Sequence, residues 1–222
     1  MNHKPLPQRA FTLIELLIVV AIIAILAAIA VPNFLEAQTR AKVSRVKTDM
    51  RTLSVGMESY RVDNNVYPIP ADPNGGFIES PIAAVHVSPF ETRVPVTLTT
   101  PIAYLASRPE DPFASVRHGE SRLYHTITRD YVDIRQNHAP RFNWALVYRR
   151  YFRQLIGEDP PSRIEYFFVS WGPNMIHNAA LPHTGTTSVP HEHSDAAIYD
   201  PTNGTISEGD IVYFGPGIGF PN

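Results

Sequence analysis

Sixteen apolar residues stand in an unbroken run from Leu16 to Val31, and nothing else in this 222-residue chain limits its fold so strongly. With Thr12, Glu15, Pro32 and Asn33 admitted as interruptions, the apolar segment extends over the 25 residues from Phe11 to Leu35. As a helix it would reach about 37 Å at 1.5 Å per residue, and about 20 residues suffice to cross a bilayer. The segment therefore reads as one transmembrane helix. Lys4 and Arg9 precede it in a short tail, and short positive tails stay cytoplasmic. Arg40, Lys42, Arg45 and Lys47 follow it, against a simple positive-inside pattern. A long translocated segment is less sensitive to charge, so the tail is placed inside and the remainder outside. The competing reading is a cleaved secretory signal peptide, for which Ala24, Ala27, Ala28 and Ala30 offer small-residue sites. Against it, the run continues through Pro32-Asn33 into helix-compatible Phe34-Leu35-Glu36-Ala37 with no turn signal.

Glu15 sits among Phe11, Leu13, Ile14, Leu16 and Leu17. A carboxylate inside hydrocarbon costs about 2.5–3.5 kcal/mol on insertion scales. Two readings fit the residues equally. Either Glu15 lies at the cytoplasmic interface and stays hydrated, or it pairs with a positive charge from another chain in an assembly.

Beyond the apolar segment a helical pattern persists. Val43, Val46, Met50, Leu53, Met57 and Tyr60 recur at spacings of 3 and 4, which predicts one apolar face. Arg40, Lys42, Arg45, Lys47, Asp49, Arg51, Glu58, Arg61 and Asp63 occupy the other faces. The later half of the stripe is expected to pack on the chain's own sheet, with a self-assembly face as the alternative for the earlier half, and neither excludes the other. Pro32 is expected to kink or locally open the helix, since it removes one backbone bond and crowds the preceding turn. Gly56 costs about 1 kcal/mol relative to alanine without ending the helix. Asp63-Asn64-Asn65 ends the pattern, and Tyr67-Pro68-Ile69-Pro70 opens an extended loop.

Residues 64–222 form a head of net charge −5, from 11 basic and 16 acidic residues. Eighteen of the chain's 21 prolines lie after residue 63, which predicts many loops and few long helices there. Residues 68–122 should be mostly loop, with a short turn at Ile102–Ala106. Leu123–Ile127 and Tyr131–Ile134 read as a hairpin around Thr128-Arg129-Asp130. Asn143–Ile156 has helical spacing closed by Gly157. Ile164–Ser170 and Ile211–Phe214 read as strands, rich in β-branched and aromatic residues.

The absence of cysteine removes disulfides, thiol catalysis and Cys-ligated metals. A net charge of −2 argues against a dedicated nucleic-acid binder. The Arg149-Arg150-Tyr151-Phe152-Arg153 cluster reads as a helix with a basic outer face. His183, His191 and His193, with Glu192, are a candidate transition-metal group, but no further ligand completes them and a solvated loop explains them better. There is no G-x-S-x-G, P-loop, H-E-x-x-H or dinucleotide turn. An enzyme is not expected.

The stretch Gln8-Arg9-Ala10-Phe11-Thr12-Leu13-Ile14-Glu15-Leu16-Leu17, continuing to Val31-Pro32-Asn33, resembles the N-terminal signature of type IV prepilins and type II secretion pseudopilins. The head adds to the likeness. Leu98-Thr99-Thr100-Pro101-Ile102-Ala103-Tyr104-Leu105, Pro109-Glu110-Asp111-Pro112-Phe113, Tyr67-Pro68 and Trp171-Gly172-Pro173-Asn174 are similar to the major, G-type pseudopilins. The resemblance implies an α+β, pilin-like fold: a long N-terminal helix packed on a small antiparallel sheet. It divides the chain into a leader at 1–10, a transmembrane and assembly helix at 11–35, an amphipathic continuation at 36–63 and a head at 64–222. Residues 135–163 look like an insertion. A prepilin peptidase would cut between Ala10 and Phe11 and N-methylate Phe11. Ala10 stands where the family usually has glycine, so slower cleavage is expected. Glu15 maps onto the family's assembly glutamate, which would pair with the new Phe11 amine of a neighbour. Such an amine is mostly protonated at neutral pH, and the pair would neutralise two charges that are costly in an apolar bundle.

The implied function is a structural subunit of a type II secretion pseudopilus. A type IV pilus subunit is the alternative, and a membrane-anchored binding module or hydrolase the third reading. The implied partners are further copies of the chain, other pseudopilins or pilins, the peptidase and an inner-membrane assembly platform, with the head periplasmic and no nucleic acid. The resemblance also raises calcium near the C-terminus, where Asp195, Asp200, Asn203 and Asp210 are suitable oxygen donors. Asp200-Pro201-Thr202-Asn203-Gly204 is good turn chemistry without any metal, and that is the preferred reading.

Overall fold

The structure, a computed structural model of the chain, describes residues 11–71, 93–114, 122–128, 164–175, 199–200, 207 and 209–220. Its chain divides into two compact units, Met1–Thr39 and Arg40–Asn222. One α-helix, α1 (Leu13–Asn64, 52 residues), contains the residues of both expected helical segments and continues through Pro32. In the first unit every described side chain from Phe11 to Leu35 is exposed. Part of α1 is long and apolar enough to cross a membrane, and none of that stretch is buried.

The second unit is built on the later part of α1. Val43, Val46, Met50, Leu53 and Met57 are buried there, and Tyr60 packs partly against them. The earlier half of the stripe is thus core: Val46 is fully buried, so the assembly face suggested for that half is not available on the folded chain. The helix stops where expected. Asn65 adopts φ 58°, and its N–H donates to the Arg61 carbonyl at 2.8 Å. Asparagine tolerates this left-handed position after a helix C-terminus.

The sheet has three antiparallel strands in the order β1-β2-β3: β1 (His125–Thr128), β2 (Tyr166–Ser170) and β3 (Ile211–Gly215). The central β2, Tyr-Phe-Phe-Val-Ser, is buried along its whole length. Tyr166 and Phe168 alternate with Phe167 and Val169, and strand geometry sends the two sets to opposite faces. Tyr166 and Phe168 join the helix stripe in one cluster with Tyr67, Val94, Leu98, Leu105, Phe113, Tyr124 and Ile211.

The strand expected at Leu123–Ile127 needs a correction of its bounds, while the hairpin partner expected for it lies outside the described residues. Thr128 belongs to β1 itself, and β1 pairs with β2, with Thr128 opposite Tyr166. Four residues cannot show a clear period, so the strand's end was not marked in the sequence. Tyr131–Ile134, the Asn143–Ile156 helix and the 135–163 insertion fall outside the described residues, as do 1–10.

Two carboxylate arrangements hold the unit together. In the first, tyrosine hydroxyls from the head reach acids on α1. Tyr124 Oη donates to Asp49 Oδ2 at 2.9 Å, Tyr166 Oη to Glu58 Oε1 at 2.7 Å, and Tyr104 Oη to Asp63 Oδ2 at 2.9 Å. Tyr67 Oη also reaches Glu58, at 3.3 Å. Tyr213 Oη donates to Ser54 Oγ at 3.2 Å, and Ser54 Oγ lies 2.8 Å from Tyr166 Oη. Since Tyr166 gives its one proton to Glu58, the Ser54 hydroxyl donates to Tyr166. The result is a directed chain from β3 through the helix to β2 and back to a helix acid.

The second is Asp111. Its Oδ1 accepts from Phe113 N at 2.9 Å and Ser170 Oγ at 2.8 Å, and its Oδ2 from Trp171 N at 3.3 Å. The side chain thereby ties the Pro109–Phe113 loop to the end of β2. Burial, only partly offset by these donors, pushes the Asp111 carboxyl up to about 6. A carboxyl raised in the folded state binds its proton more tightly folded than unfolded. Its contribution therefore favours folding at low pH and is lost as pH rises between about 4 and 6. The size is on the order of 3 kcal/mol. Urea unfolding of the full chain and of Asp111→Asn at pH 4 and pH 7 checks this. The wild-type advantage over the variant should be larger at pH 4 by about that amount. An equal advantage at both pH values would contradict it.

The loop after β2 also shows why its residues are specific. Gly172 has φ +67°, and a Cβ there would run into the Gly209 carbonyl oxygen. Trp171 Nε1 donates to His125 Nε2 at 3.0 Å. Trp171-Gly172-Pro173-Asn174 thus closes β2 against β1 and the residues before β3.

Candidate assembly site at the helix start

Phe11, Thr12 and Glu15 lie together at the beginning of α1. Thr12 directly precedes the first helical residue, Leu13, and Glu15 is the third. The Glu15 Oε2 atom accepts from Thr12 N at 2.8 Å and from Thr12 Oγ1 at 2.7 Å, while Glu15 N donates to Thr12 Oγ1 at 3.3 Å. This is a capping box, in which residue and backbone satisfy each other across the first turn. The first N–H groups of a helix have no intrahelical acceptor, and in hydrocarbon no water replaces one. Glu15 therefore has a local task that neither reading of it as an isolated membrane charge included. The signal was legible as Thr12-x-x-Glu15 before an apolar run.

The box uses one carboxylate oxygen. Both Thr12 groups converge on Oε2, which leaves Oε1 outside the box on an exposed side chain. Phe11 is exposed and adjacent. The site is thus a capped helix start with one carboxylate oxygen outside the box, four residues from Phe11 in sequence and at the head of a long apolar run. Ala10, the other expected processing residue, lies outside the described residues. The Pro32 segment is helical and exposed.

The expected calcium donors do not form a site among the described residues. Asp195 and Asn203 lie outside them. Asp210 is fully buried, and its backbone carbonyl accepts from Tyr199 N at 3.0 Å. Asp200 is exposed, and its N–H donates to Ser207 Oγ at 2.8 Å, a turn contact. Among the described residues no three metal-binding side chains converge. His183, His191, His193, Glu192 and the Arg149–Arg153 cluster are outside the described residues.

Comparison with known proteins bears on the same segment. Residues 6–31 match a family described as the prokaryotic N-terminal methylation motif. The type IV major pilin protein PilA of Myxococcus xanthus is 52% identical over 60 residues, 27% of each chain. The type IV wide pilus major component PilA4 of Thermus thermophilus is 51% identical over 59 residues, 27% of this chain and 45% of that one. The type II secretion system core protein G of Klebsiella pneumoniae is 28% identical over 108 residues, 49% of this chain and 71% of that one. No solved structure matches.

A long helix with a capped apolar start, packed over its later part on a three-stranded antiparallel sheet, is a pilin-like α+β fold. The N-terminal part of the chain carries the methylation motif, and the chain is similar in part to type IV pilins and to the type II secretion core protein G. The matched stretches span 27% of the Myxococcus pilin and 45% of the Thermus one, against 71% of the Klebsiella protein.

Proposed function

We propose that this chain is a structural subunit of a type II secretion pseudopilus. The observation that carries this reading is the reach of the likeness to core protein G. A match of 108 residues is longer than the 64 residues that end with α1, so it includes part of the head wherever it begins. Before assembly the subunit is anchored in the bacterial inner membrane by the first part of α1, with residues 1–10 cytoplasmic and the head periplasmic. A prepilin peptidase removes 1–10 between Ala10 and Phe11 and N-methylates Phe11. The subunit then polymerises with copies of itself and other pseudopilins on the inner-membrane platform, with the Phe11 amine of one subunit against Glu15 of another. The role is mechanical, and no catalytic group is assigned.

Exposure of Phe11 and the small side chain of Ala10 support processing at that bond. Intact mass and N-terminal peptide sequencing of membrane-extracted protein are expected to show a chain that starts at methylated Phe11. A mature chain starting near residue 28 or 31 would reveal an ordinary signal peptide and sink the filament reading.

A type IV pilus subunit is the second reading, favoured by the higher identities to the two pilins. Deleting the chain in its own host separates the two. Lost secretion with surface pili intact supports the pseudopilus, and lost pili with secretion intact supports the pilus.

A further inference from the structure

The four cations Arg40, Lys42, Arg45 and Lys47 stand without an acid among them in the eight residues 40–47. They lie on the side of the apolar segment that translocates, where the charge rule disfavours them. The assembly reading gives them no task. We infer that they form a collar that binds anionic phospholipid headgroups at the outer face of the membrane holding the subunit before assembly. This rests on the anchored state proposed above.

Three observations favour lipid over a protein partner. The first is proximity. Only residues 36–39 separate Leu35 from Arg40, so Arg40 lies within about 18 Å of the apolar segment's end even for a fully extended chain. The second is distribution. At about 100° per residue, Arg40 and Lys47 fall on one side of α1 and Lys42 and Arg45 on the opposite side. A docking face for a protein would gather its charges on one side, whereas headgroups at a membrane surface can reach cations on either flank of the buried Val43–Val46 face. The third is presentation. Arg40, Lys42 and Arg45 are exposed, and Lys47 is half-buried. The two lysines lie over aromatic rings, Lys42 over Phe113 at 5.8 Å and Lys47 over Phe220 at 5.4 Å. Each ammonium lies over a ring face and keeps its N–H donors for an anion. Arg45 makes a loose pair with Asp49, at 3.6 Å.

Near an anionic surface each Lys or Arg is worth about 1 kcal/mol, roughly fivefold in binding. The mature full chain in detergent micelles, supplied with phosphatidylglycerol or phosphatidylcholine, would be examined by native mass spectrometry for retained lipid. Wild-type protein should retain phosphatidylglycerol at least about fivefold over phosphatidylcholine. A variant with Arg40, Lys42 and Arg45 all changed to Gln, which spares the half-buried Lys47, should lose most of that preference with its circular dichroism unchanged. Equal retention of both lipids by the wild type, or an undiminished preference in the variant, would overturn the inference. So would a variant that keeps its lipid preference but no longer self-associates, which would assign the collar to the acidic head of a second copy. Reconstitution into pure phosphatidylcholine vesicles separates this from the reading beneath it. A chain that anchors there but shows no anionic preference defeats the collar alone. A chain that fails to anchor there defeats the anchored state, and the collar with it.

Discussion

The Glu15→Leu chain is expected to be folded and membrane-bound but to form no filaments. Leucine removes a carboxylate from an apolar segment and should make insertion easier by about 2.5–3.5 kcal/mol. In the proposed assembly it also leaves the neighbour's Phe11 amine unpaired, and breaking a buried pair from one side costs about 3–5 kcal/mol. That cost recurs at every subunit contact, so polymerisation should fail. The capping box adds a second consequence, because Glu15 Oε2 also holds Thr12 N. Loss of a cap costs about 1 kcal/mol, too little to abolish a polymer. Two further variants separate the causes. Glu15→Gln keeps an acceptor for the Thr12 N–H and removes the charge, whereas Thr12→Ala removes the threonine hydroxyl and keeps the charge. If charge pairing drives assembly, Gln fails as Leu does and Thr12→Ala still assembles. Filaments sheared from cells that lack any wild-type copy give the readout, with membrane fractions as control. Normal filaments from the Glu15→Leu chain would refute the pairing.

What could be read from the residues was what depends on neighbours in sequence. The stripe from Val43 to Met57 repeats every three or four residues, so its buried face was visible without a partner. Asn65 marked the helix end because few residues tolerate its backbone angle. The aromatic run in β2 and the Ile-Val-Tyr-Phe of β3 appeared as strands for the same local reason. Thr128 was misplaced because a four-residue strand at a turn-like dipeptide carries almost no periodic signal.

The polar links were not legible. Asp49, Glu58 and Asp63 looked like solvated charges on the outer face of an amphipathic helix. Their partners Tyr124, Tyr166 and Tyr104 stand 75, 108 and 41 residues away. Nothing local couples an acid to a tyrosine at such separation. Asp111 was hidden in the same way, since a Glu-Asp-Pro sequence reads as an exposed turn. At the helix start the reverse held. The Thr12-x-x-Glu15 box was written in four consecutive residues, but the cost of a carboxylate in hydrocarbon drew the reading toward partners on other chains.

Gly215→Ala should be among the most damaging single-methyl additions in the head. Gly215 sits opposite Tyr166 in the β2–β3 register, and the Tyr166 ring lies across it. A Cβ at 215 would collide with the ring and hydroxyl of Tyr166, a side chain that is 1% exposed and packed in the core cluster. Overpacking of this kind typically costs about 1–3 kcal/mol. Displacing the ring also pulls its hydroxyl from Glu58 and Ser54, and a hydrogen bond to a charged group is worth about 1.5–3 kcal/mol. Together these predict a loss of about 3–5 kcal/mol. For a chain of this size that is a fall in melting temperature on the order of 10 °C. The mechanism makes a sharper demand than the magnitude. If the cost runs through Tyr166, it should largely vanish once that ring is gone. In a Tyr166→Val background, Gly215→Ala should add less than about 1 kcal/mol, so the two changes should couple strongly. Urea unfolding of the four full-length chains in detergent measures this cycle. Additive losses would show that the methyl acts on the backbone of β3, and that the ring over Gly215 is incidental to the fold.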